Sequence, residues 1–572
     1  MSSQEETNTA GLKVFWLTLA SGLCFVLSFF PFGFGWLGWL APMGVLKVIS
    51  LENLPGKRPK TQIWLACFLC WLALFQCVRL PHWAGYIGWP ILAAYLCTYL
   101  FGFVMVTRCF VHRWRIPLLL AAPVVWTGLE YVQAHFCTGI SLGMLPHTQA
   151  NFSQVIQVAD LAGCYTISFF MVAIAAGLFV GTESLCCGPR NLKLATFGLL
   201  QAVLLLIFML GYGWSRLEDA DAKTTNLDLR IALIQGSIDT RFPDASEIDE
   251  YLDSFTRHYT ELTLEACQEE VDLVIWPESM FPVPDAYPAD QNLSDDLKQR
   301  TEQASYGLLV TAHVVTNSGR IDPSPAGPKF TRIKPAVPLL VGANSMPVGG
   351  DYAFYNSGIL ISDEGKVVSR YGKMKLVLFG EFVPLGDVFP WLYNFFPIPP
   401  GLKAWDRPVG MELEGFTFSP SICFESTYPH LMRKHVNQLD QDGKKPDMFV
   451  NLSNDGWFYG STALDMHFAN NVLRAVENRT PMLIAANTGF SGQIDSGGRV
   501  VHKGPRRQPQ VLYVNAMASD QTSLYRTIGD WPAFLCFLAV LPCFLSWFFA
   551  LFFRKKLELT EQSRATDPEV SS

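Results

Sequence analysis

Ser419-Pro420-Ser421-Ile422-Cys423-Phe424-Glu425-Ser426-Thr427-Tyr428 is the stretch on which the reading of this chain turns. Its apolar approach, Gly415-Phe416-Thr417-Phe418, has the pattern of a strand and runs into a cysteine. A carboxylate follows at Glu425, and the segment beyond can turn into helix. A cysteine at a strand end can present its sulfur to a cleft, but it becomes a nucleophile only where a neighbour takes its proton or steadies its anion. Two distant segments offer such neighbours. Val271-Asp272-Leu273-Val274-Ile275-Trp276-Pro277-Glu278 reads as an apolar strand ending in a glutamate. Tyr371-Gly372-Lys373-Met374-Lys375-Leu376-Val377-Leu378-Phe379-Gly380-Glu381 supplies two lysines and a second glutamate.

Working outward, the 572-residue chain exceeds one compact domain. Half of it is apolar and only 16% is charged, which predicts membrane spans. A net charge of -7 argues against a nucleic-acid partner. Most of the 14 cysteines lie in apolar segments, Cys67-x-x-Cys70 included, and read as small hydrophobes. Cys186-Cys187 has no ligand set nearby. The long polar segment holds only Cys267 and Cys423, and a disulfide there would disable a nucleophile, so none is expected.

Seven apolar stretches, near 12–30, 34–50, 62–79, 89–110, 116–135, 160–181 and 194–214, precede the polar segment, and an eighth lies near 531–553. Each approaches the roughly 20 residues that cross a bilayer; the second, with Gly33, Gly35 and Gly38, is the shortest. The start, Met1 to Thr9, is uncharged or acidic and no small-residue cleavage site follows, which predicts an uncleaved anchor. If the N-terminus is cytoplasmic, the inside loops hold Lys57, Arg58 and Lys60; Arg108, Arg113 and Arg115; Arg190 and Lys193; and Arg554, Lys555 and Lys556. The outside loops hold little but Arg79. The bias predicts both termini inside and residues 215–530 outside. The expected organisation is a bundle over 1–214, a polar domain over 215–530, a last span over 531–553 and a polar tail over 554–572. Outside aromatics such as His82-Trp83-Ala84-Gly85-Tyr86 are read as interfacial anchors or as a lipid entry surface. Glu130, four residues after Trp126, sits in the fifth span, where a carboxylate needs a partner or water. It braces the bundle or lines a path for head groups.

Within the polar domain, strands are expected at 229–235, 271–276, 307–314, 338–343 and 447–452, with a hairpin turning at Asp363-Glu364-Gly365. Helices are expected near 245–268 and 462–477 and beyond Cys423. Asn317 to Lys334, rich in Pro, Gly and Ser, reads as an inserted loop.

A glutamate after a buried strand, a lysine after a strand and a Cys-x-Glu, in that chain order, resemble the nitrilase superfamily. With spans on both sides, the chain resembles its membrane-embedded branch, the apolipoprotein N-acyltransferases, which finish bacterial lipoproteins. The resemblance implies an α/β α-β-β-α sandwich beside a polytopic helical bundle of eight spans in the cytoplasmic (inner) membrane. It implies acyl transfer from a phospholipid to the α-amine of a diacylglyceryl apolipoprotein, through a thioester and without a cofactor. A monomer is expected. The family's fifth span often places an arginine three residues after the glutamate; here Gln133 stands there, so that charge pairing is in doubt.

Cys423 is then the expected nucleophile; the plainer reading of a lone cysteine after a strand is core packing. Glu278 is the expected general base, and Trp276, Pro277 and Phe281 suggest a dry pocket. Its plainer reading is a strand-end carboxylate exposed to water, or one capping a following helix. Lys373 or Lys375 would stabilise an oxyanion; strand periodicity cannot separate them, and the family pattern Tyr-x-Lys, followed eight residues on by Glu381, selects Lys373. Glu381 would orient Lys373 or share proton transfer, and Glu425 would hold neighbouring loops or hydrogen-bond backbone amides. Asn451-Leu452-Ser453-Asn454-Asp455-Gly456-Trp457-Phe458 resembles the family's loop beside the cleft, with Trp457 closing over an acyl chain or packing in the core. Asn344, Tyr355-Asn356 and Asn487-Thr488-Gly489 are assigned to shaping the cleft. Phe379, Phe382, Phe389, Trp391, Phe395 and Phe396 are expected to touch the bilayer. His82, His147, His430 and His467 show no metal-ligand spacing. The competing classes are a membrane-tethered amidase acting on soluble amides, and a non-enzymatic scaffold or transporter.

Overall fold

The computed structural model describes residues 3–29, 31–186, 191–241, 246–288, 294–322, 329–349, 353–395 and 401–546, with side chains from residue 12. Cys187, Arg190, Phe396, the end of the eighth stretch, Arg554, Lys555, Lys556 and the rest of the tail lie outside the described residues.

Each of the eight apolar stretches forms a helix: Ser3–Ser28, Leu37–Ser50, Pro59–Leu74, Gly85–Arg108, Leu118–His135, Tyr165–Cys186, Leu192–Lys223 and Trp531–Ser546. Among the described residues, three are long and apolar enough to cross a membrane by length and composition: Gly85–Arg113, Tyr165–Cys186 and Leu192–Lys223. The seventh helix runs on to Lys223, past the expected end near 214. Arg216, Glu218, Asp219, Asp221 and Lys223 end the apolar run, while Leu217, Ala220, Ala222 and the long charged side chains still favour helix, so hydropathy stops before the helix does. Gly177 and Gly198 let the sixth and seventh helices touch backbone to backbone; a Cβ on either would lie within 2.7 Å of the other's carbonyl oxygen.

The polar segment folds into two sheets. The first runs in the order Gln510–Ser519, Thr224–Gln235, Leu273–Ile275, Leu339–Val348, Tyr355–Ile361, Val367–Gly372, with Asp285–Pro288 also on Leu339–Val348. The second runs Val500–Lys503, Gly492–Ile494, Met482–Ala486, Met448–Ser453, Phe416–Ile422, Met411–Leu413. Ile231, Leu233, Ile275 and Leu340 of the first sheet pack against Phe418, Ile422, Val450 and Leu452 of the second. The alternate side chains, Ala232, Ile234, Val274 and Val341, face outward onto Phe255, Tyr259, Leu308 and Ala312 of helices Ile248–Ala266 and Asp295–Val315. This is period-two alternation with both faces covered. On the other side, helices Pro429–Gln441 and Ala463–Asn478 cover the second sheet. The layers are therefore helix, sheet, sheet, helix, as the α-β-β-α expectation had it.

The strand expected at 307–314 is instead the end of helix Asp295–Val315. Leu308-Leu309-Val310 reads as a strand alone, but Leu308, Ala312 and Val315 form one buried helical stripe, and the polar first turns that extend the helix hid the period. The segment expected as an insertion forms a two-stranded ribbon, Gly319–Asp322 with Lys329–Arg332; residues 323–328 lie outside the described residues.

Helix Ala463–Asn478 is buried on every residue because it lies between the second sheet and the apolar bundle, in one continuous core with both. Its end is fastened by ion pairs. Arg479 Nε donates to Asp160 Oδ2 at 3.0 Å, Arg216 Nε to the same oxygen at 2.7 Å, and Tyr212 to Asp160 Oδ1 at 2.6 Å. Asp160 has its negative charge matched twice, which is what a buried ion requires.

Candidate active site

Strand Phe416–Ile422 delivers Cys423 into a short 3-10 turn, Cys423–Thr427. Cys423 has φ +53°, a left-handed conformation uncommon for a residue with a side chain. Its carbonyl is held in return: Asn451 Nδ2 approaches at 3.1 Å, His467 Nε2 at 2.9 Å and Ser426 Oγ at 3.4 Å.

Glu278 follows strand Leu273–Ile275, and Lys373 follows strand Val367–Gly372. Lys373 Nζ donates to Glu278 Oε1 at 3.0 Å and to Glu381 Oε1 at 2.8 Å, with the lysine side chain 1% exposed. Asn356 Nδ2 joins the same two oxygens at 2.7 and 3.1 Å. The backbone N–H of Asn454 binds Glu278 Oε2 at 3.0 Å, and that of Val377 binds Glu381 Oε2 at 2.8 Å. Gly342 makes room for Glu278: a Cβ there would lie 2.3 Å from Pro277 O and 2.5 Å from Glu278 Cα.

The charges set the protonation states. Burial pushes the Cys423 thiol well above its ordinary value; Glu278 pushes it further, and Lys373 pulls it back. Burial disfavours the Lys373 ammonium, but Glu278, Glu381 and Cys423 outweigh that and hold it well above the usual lysine value. The pocket thus sets the Cys423 thiol beside the Lys373 ammonium and the side chains of Glu278 and Glu381. Lys375 does not enter it. Its ammonium lies over the Tyr428 ring at 5.2 Å.

Glu425 ties the cysteine segment to the lysine segment. Oε2 accepts from Ile422 N at 2.7 Å and Tyr371 Oη at 2.8 Å; Oε1 accepts from Met374 N at 2.6 Å and Lys375 N at 3.0 Å. Asn454 Oδ1 receives Thr240 Oγ1 at 3.0 Å and Asn487 Nδ2 at 2.9 Å, so Asn454 and Asn487 brace the wall behind Glu278. Tyr355 packs edge-on against Trp405 at 4.9 Å, and Trp405 N binds the Lys373 carbonyl. Trp457 is half-buried and Phe379 is exposed. Asn344, expected at the cleft, is exposed on Leu339–Val348 in register with Asn356.

The sequence reading missed two features. Asn356 touches both carboxylates rather than only shaping the cleft. His467 joins Asp455 (Nδ1 to Oδ1, 3.0 Å) directly behind Cys423. The signal was the spacing in Asp455…His467, a strand-end turn followed by the first turns of a helix. Glu130 accepts from Trp126 Nε1 at 3.0 Å and Leu145 N at 3.2 Å, and also lines a cavity of about 40 Å³ with Tyr99, Phe103 and Leu129. His135, His430 and Asp530 meet with ligand atoms within 4.8 Å, contrary to the reading of scattered histidines. The two imidazoles stack at 4.7 Å and 29°. His135 Nε2 lies 3.4 Å from Asp530 Oδ2, so the three side chains join the fifth helix, the segment after Cys423 and the start of the last helix.

A family model described as apolipoprotein N-acyltransferase N-terminal domain matches residues 21–177, and one described as carbon-nitrogen hydrolase matches residues 230–524. An apolipoprotein N-acyltransferase of Rhodopirellula baltica is 31% identical over 93% of this chain and 97% of that protein. Those of Geobacter metallireducens and Chlorobaculum tepidum are each 28% identical, over 91% and 92% of this chain and 92% and 94% of theirs. Among solved structures, a nitrilase-superfamily amidase of Nesterenkonia aligns over 51% of this chain and 91% of its own at 15% identity; its TM-score of 0.33 is too low to bear on the fold. The membrane-type helices, the two-sheet domain and the match along nearly the whole length make one conclusion, that this chain belongs to the apolipoprotein N-acyltransferase family.

Proposed function

We propose that the protein moves a fatty acyl chain from a phospholipid to the N-terminal α-amine of a diacylglyceryl-cysteine apolipoprotein, through a thioester on Cys423. The observation that carries this is the meeting of buried Cys423, Glu278 and Lys373 with half-buried Glu381 at their edge. Glu278 takes the thiol proton, and the thiolate attacks the ester carbonyl. Lys373 steadies the oxyanion in a site shielded from water. The ester C–O bond breaks, the alkoxide recovers the proton from Glu278, and lysophospholipid leaves. The amine then attacks the thioester, the C–S bond breaks, and the amine's proton returns through Glu278 to the thiol. Shielding favours the amine over hydrolysis. Glu381 and Asn356 keep Glu278 and Lys373 in place, and Trp457, Asn454, Tyr355 and Phe379 border the cleft.

The chain spans the bacterial cytoplasmic membrane eight times as a monomer, with both termini inside and the catalytic domain over 215–530 outside. The lysine and arginine bias of the short loops supports this arrangement. Lateral access for two lipid-anchored substrates follows from it. In the test, purified protein receives a phospholipid with a labelled acyl chain and a lipopeptide bearing a free diacylglyceryl-cysteine amine. Amide-linked label is expected on the lipopeptide with wild type and not with Cys423→Ala. Ammonia release from soluble amides without label transfer would replace this reading with the amidase one.

A further inference from the structure

His467 is 2% exposed and sits behind the nucleophile segment rather than in the cluster of Glu278 and Lys373. Its Nε2 lies 2.9 Å from the Cys423 carbonyl, an atom that can only accept. Its Nδ1 lies 3.0 Å from Asp455 Oδ1, which also receives Ser453 Oγ at 3.1 Å. Its ring lies parallel to that of Phe424, the residue after the cysteine, at 5.5 Å and 8°. One side chain thus grips the carbonyl of Cys423 and the side chain of its neighbour. The site it grips is the left-handed residue, whose conformation persists only where its surroundings impose it.

We propose that His467, oriented by Asp455, is a positioning residue: its Nε2–H fixes the Cys423 carbonyl and so keeps the thiol aimed at Glu278 and Lys373. Asn451 and Ser426 assist, but Asn451 also serves Ser421 Oγ at 3.0 Å, and Ser426 is the most distant of the three donors. Among the three, His467 is the one whose other end is held by a carboxyl side chain, that of Asp455. The proposal rests on the reading of Cys423 as nucleophile.

The test compares His467→Asn with His467→Gln in the full-length protein. A glutamine amide reaches the place of Nε2 and restores the donor; an asparagine amide reaches only the place of Nδ1. Both remove the ring and its stacking on Phe424. Alkylation of Cys423 by iodoacetamide is followed by peptide mass spectrometry, next to the rate of acyl transfer and the thermal midpoint. A loose nucleophile loses on the order of 10²-fold in rate for a displacement near 1 Å. His467→Asn is expected to show a loss of that order in both rates, and His467→Gln to recover most of it, at equal thermal midpoints. Equal rates in the two variants, whether both low or both at the wild-type level, overturn the proposal. Acyl transfer that survives in Cys423→Ala would instead overturn the reading beneath it.

Discussion

Lys373 Nζ lies 3.0 Å from Glu278 Oε1, a contact between residues 95 apart in the chain, with both side chains buried. Their opposite charges act on Cys423 in opposite senses: Glu278 raises its thiol and Lys373 lowers it. The signs give a paired prediction. The thiol is held above its ordinary value, so wild-type alkylation should still be climbing with pH beyond the usual cysteine range. Glu278→Gln removes a negative charge, so the thiol should titrate lower and alkylate faster at a given pH. Acyl transfer should meanwhile fall about 10²–10⁴-fold for want of the base. Lys373→Met removes the cation, so alkylation should shift to higher pH and transfer should fall too. Rate–pH curves of iodoacetamide labelling read this; a Glu278→Gln curve displaced upward in pH would contradict it.

Gly342 should tolerate no side chain. An alanine Cβ would meet the Pro277 carbonyl and Glu278 Cα at distances that force backbone movement. Displacing Glu278 by about 1 Å should cost on the order of 10² in kcat/KM. Gly415, at φ +87° with open space around it, is the comparison. Alanine there strains the turn but leaves Glu278 in place, so a labelled-lipid assay should separate the two variants.

Glu425→Gln should destabilise the fold and slow the reaction together. Four donors converge on this carboxylate, and a glutamine NH₂ would face at least two of them. An unmet buried donor costs about 1–3 kcal/mol. A lowered denaturation midpoint is expected, with a smaller fractional loss of alkylation than of acyl transfer, because the Lys373 segment is released from the Cys423 turn.

Much of the candidate site was legible because its residue types stand at the ends of apolar runs that are visible in the chain. Cys423, Glu278, Lys373 and Glu381 each follow an apolar run whose end is visible in the chain. Periodicity could not choose between Lys373 and Lys375; burial beside two carboxylates distinguishes them. Asn356 and His467 were obscure for a different reason. An asparagine or histidine on a strand or helix has many uses, and only the three-dimensional meeting with Glu278 or the Cys423 carbonyl selects one. The helix Asp295–Val315 was misread because its apolar stripe is confined to its end. Asp160, a lone acid in an apolar stretch, acquires its meaning from Arg479, 319 residues away.

The aromatic segment after Lys373 should act on lipid rather than on the thiol. Phe379, Phe389, Trp391 and Phe395 are each 45–59% exposed, next to exposed Leu385 and Val388, whereas Phe382 is half-buried. An apolar cluster left in water marks an interaction surface. Serine at Phe389, Trp391 and Phe395 together should cut turnover of phospholipid in vesicles by about tenfold or more, since each ring removed forfeits roughly 1.5–3 kcal/mol of burial. Alkylation of Cys423 should stay within about twofold, the scatter of mutational effects on distant sites. Equal losses in the two assays would place the segment in the fold instead of the membrane surface.

The most direct measurement is the mass of the peptide containing Cys423 after the protein is incubated with phospholipid alone and then with an amine-bearing diacylglyceryl lipopeptide. A fatty-acyl adduct on Cys423 is predicted after the first step, lost after the second as the same acyl chain appears on the lipopeptide amine. An unmodified Cys423 throughout, with the lipopeptide nevertheless acylated, would contradict the account.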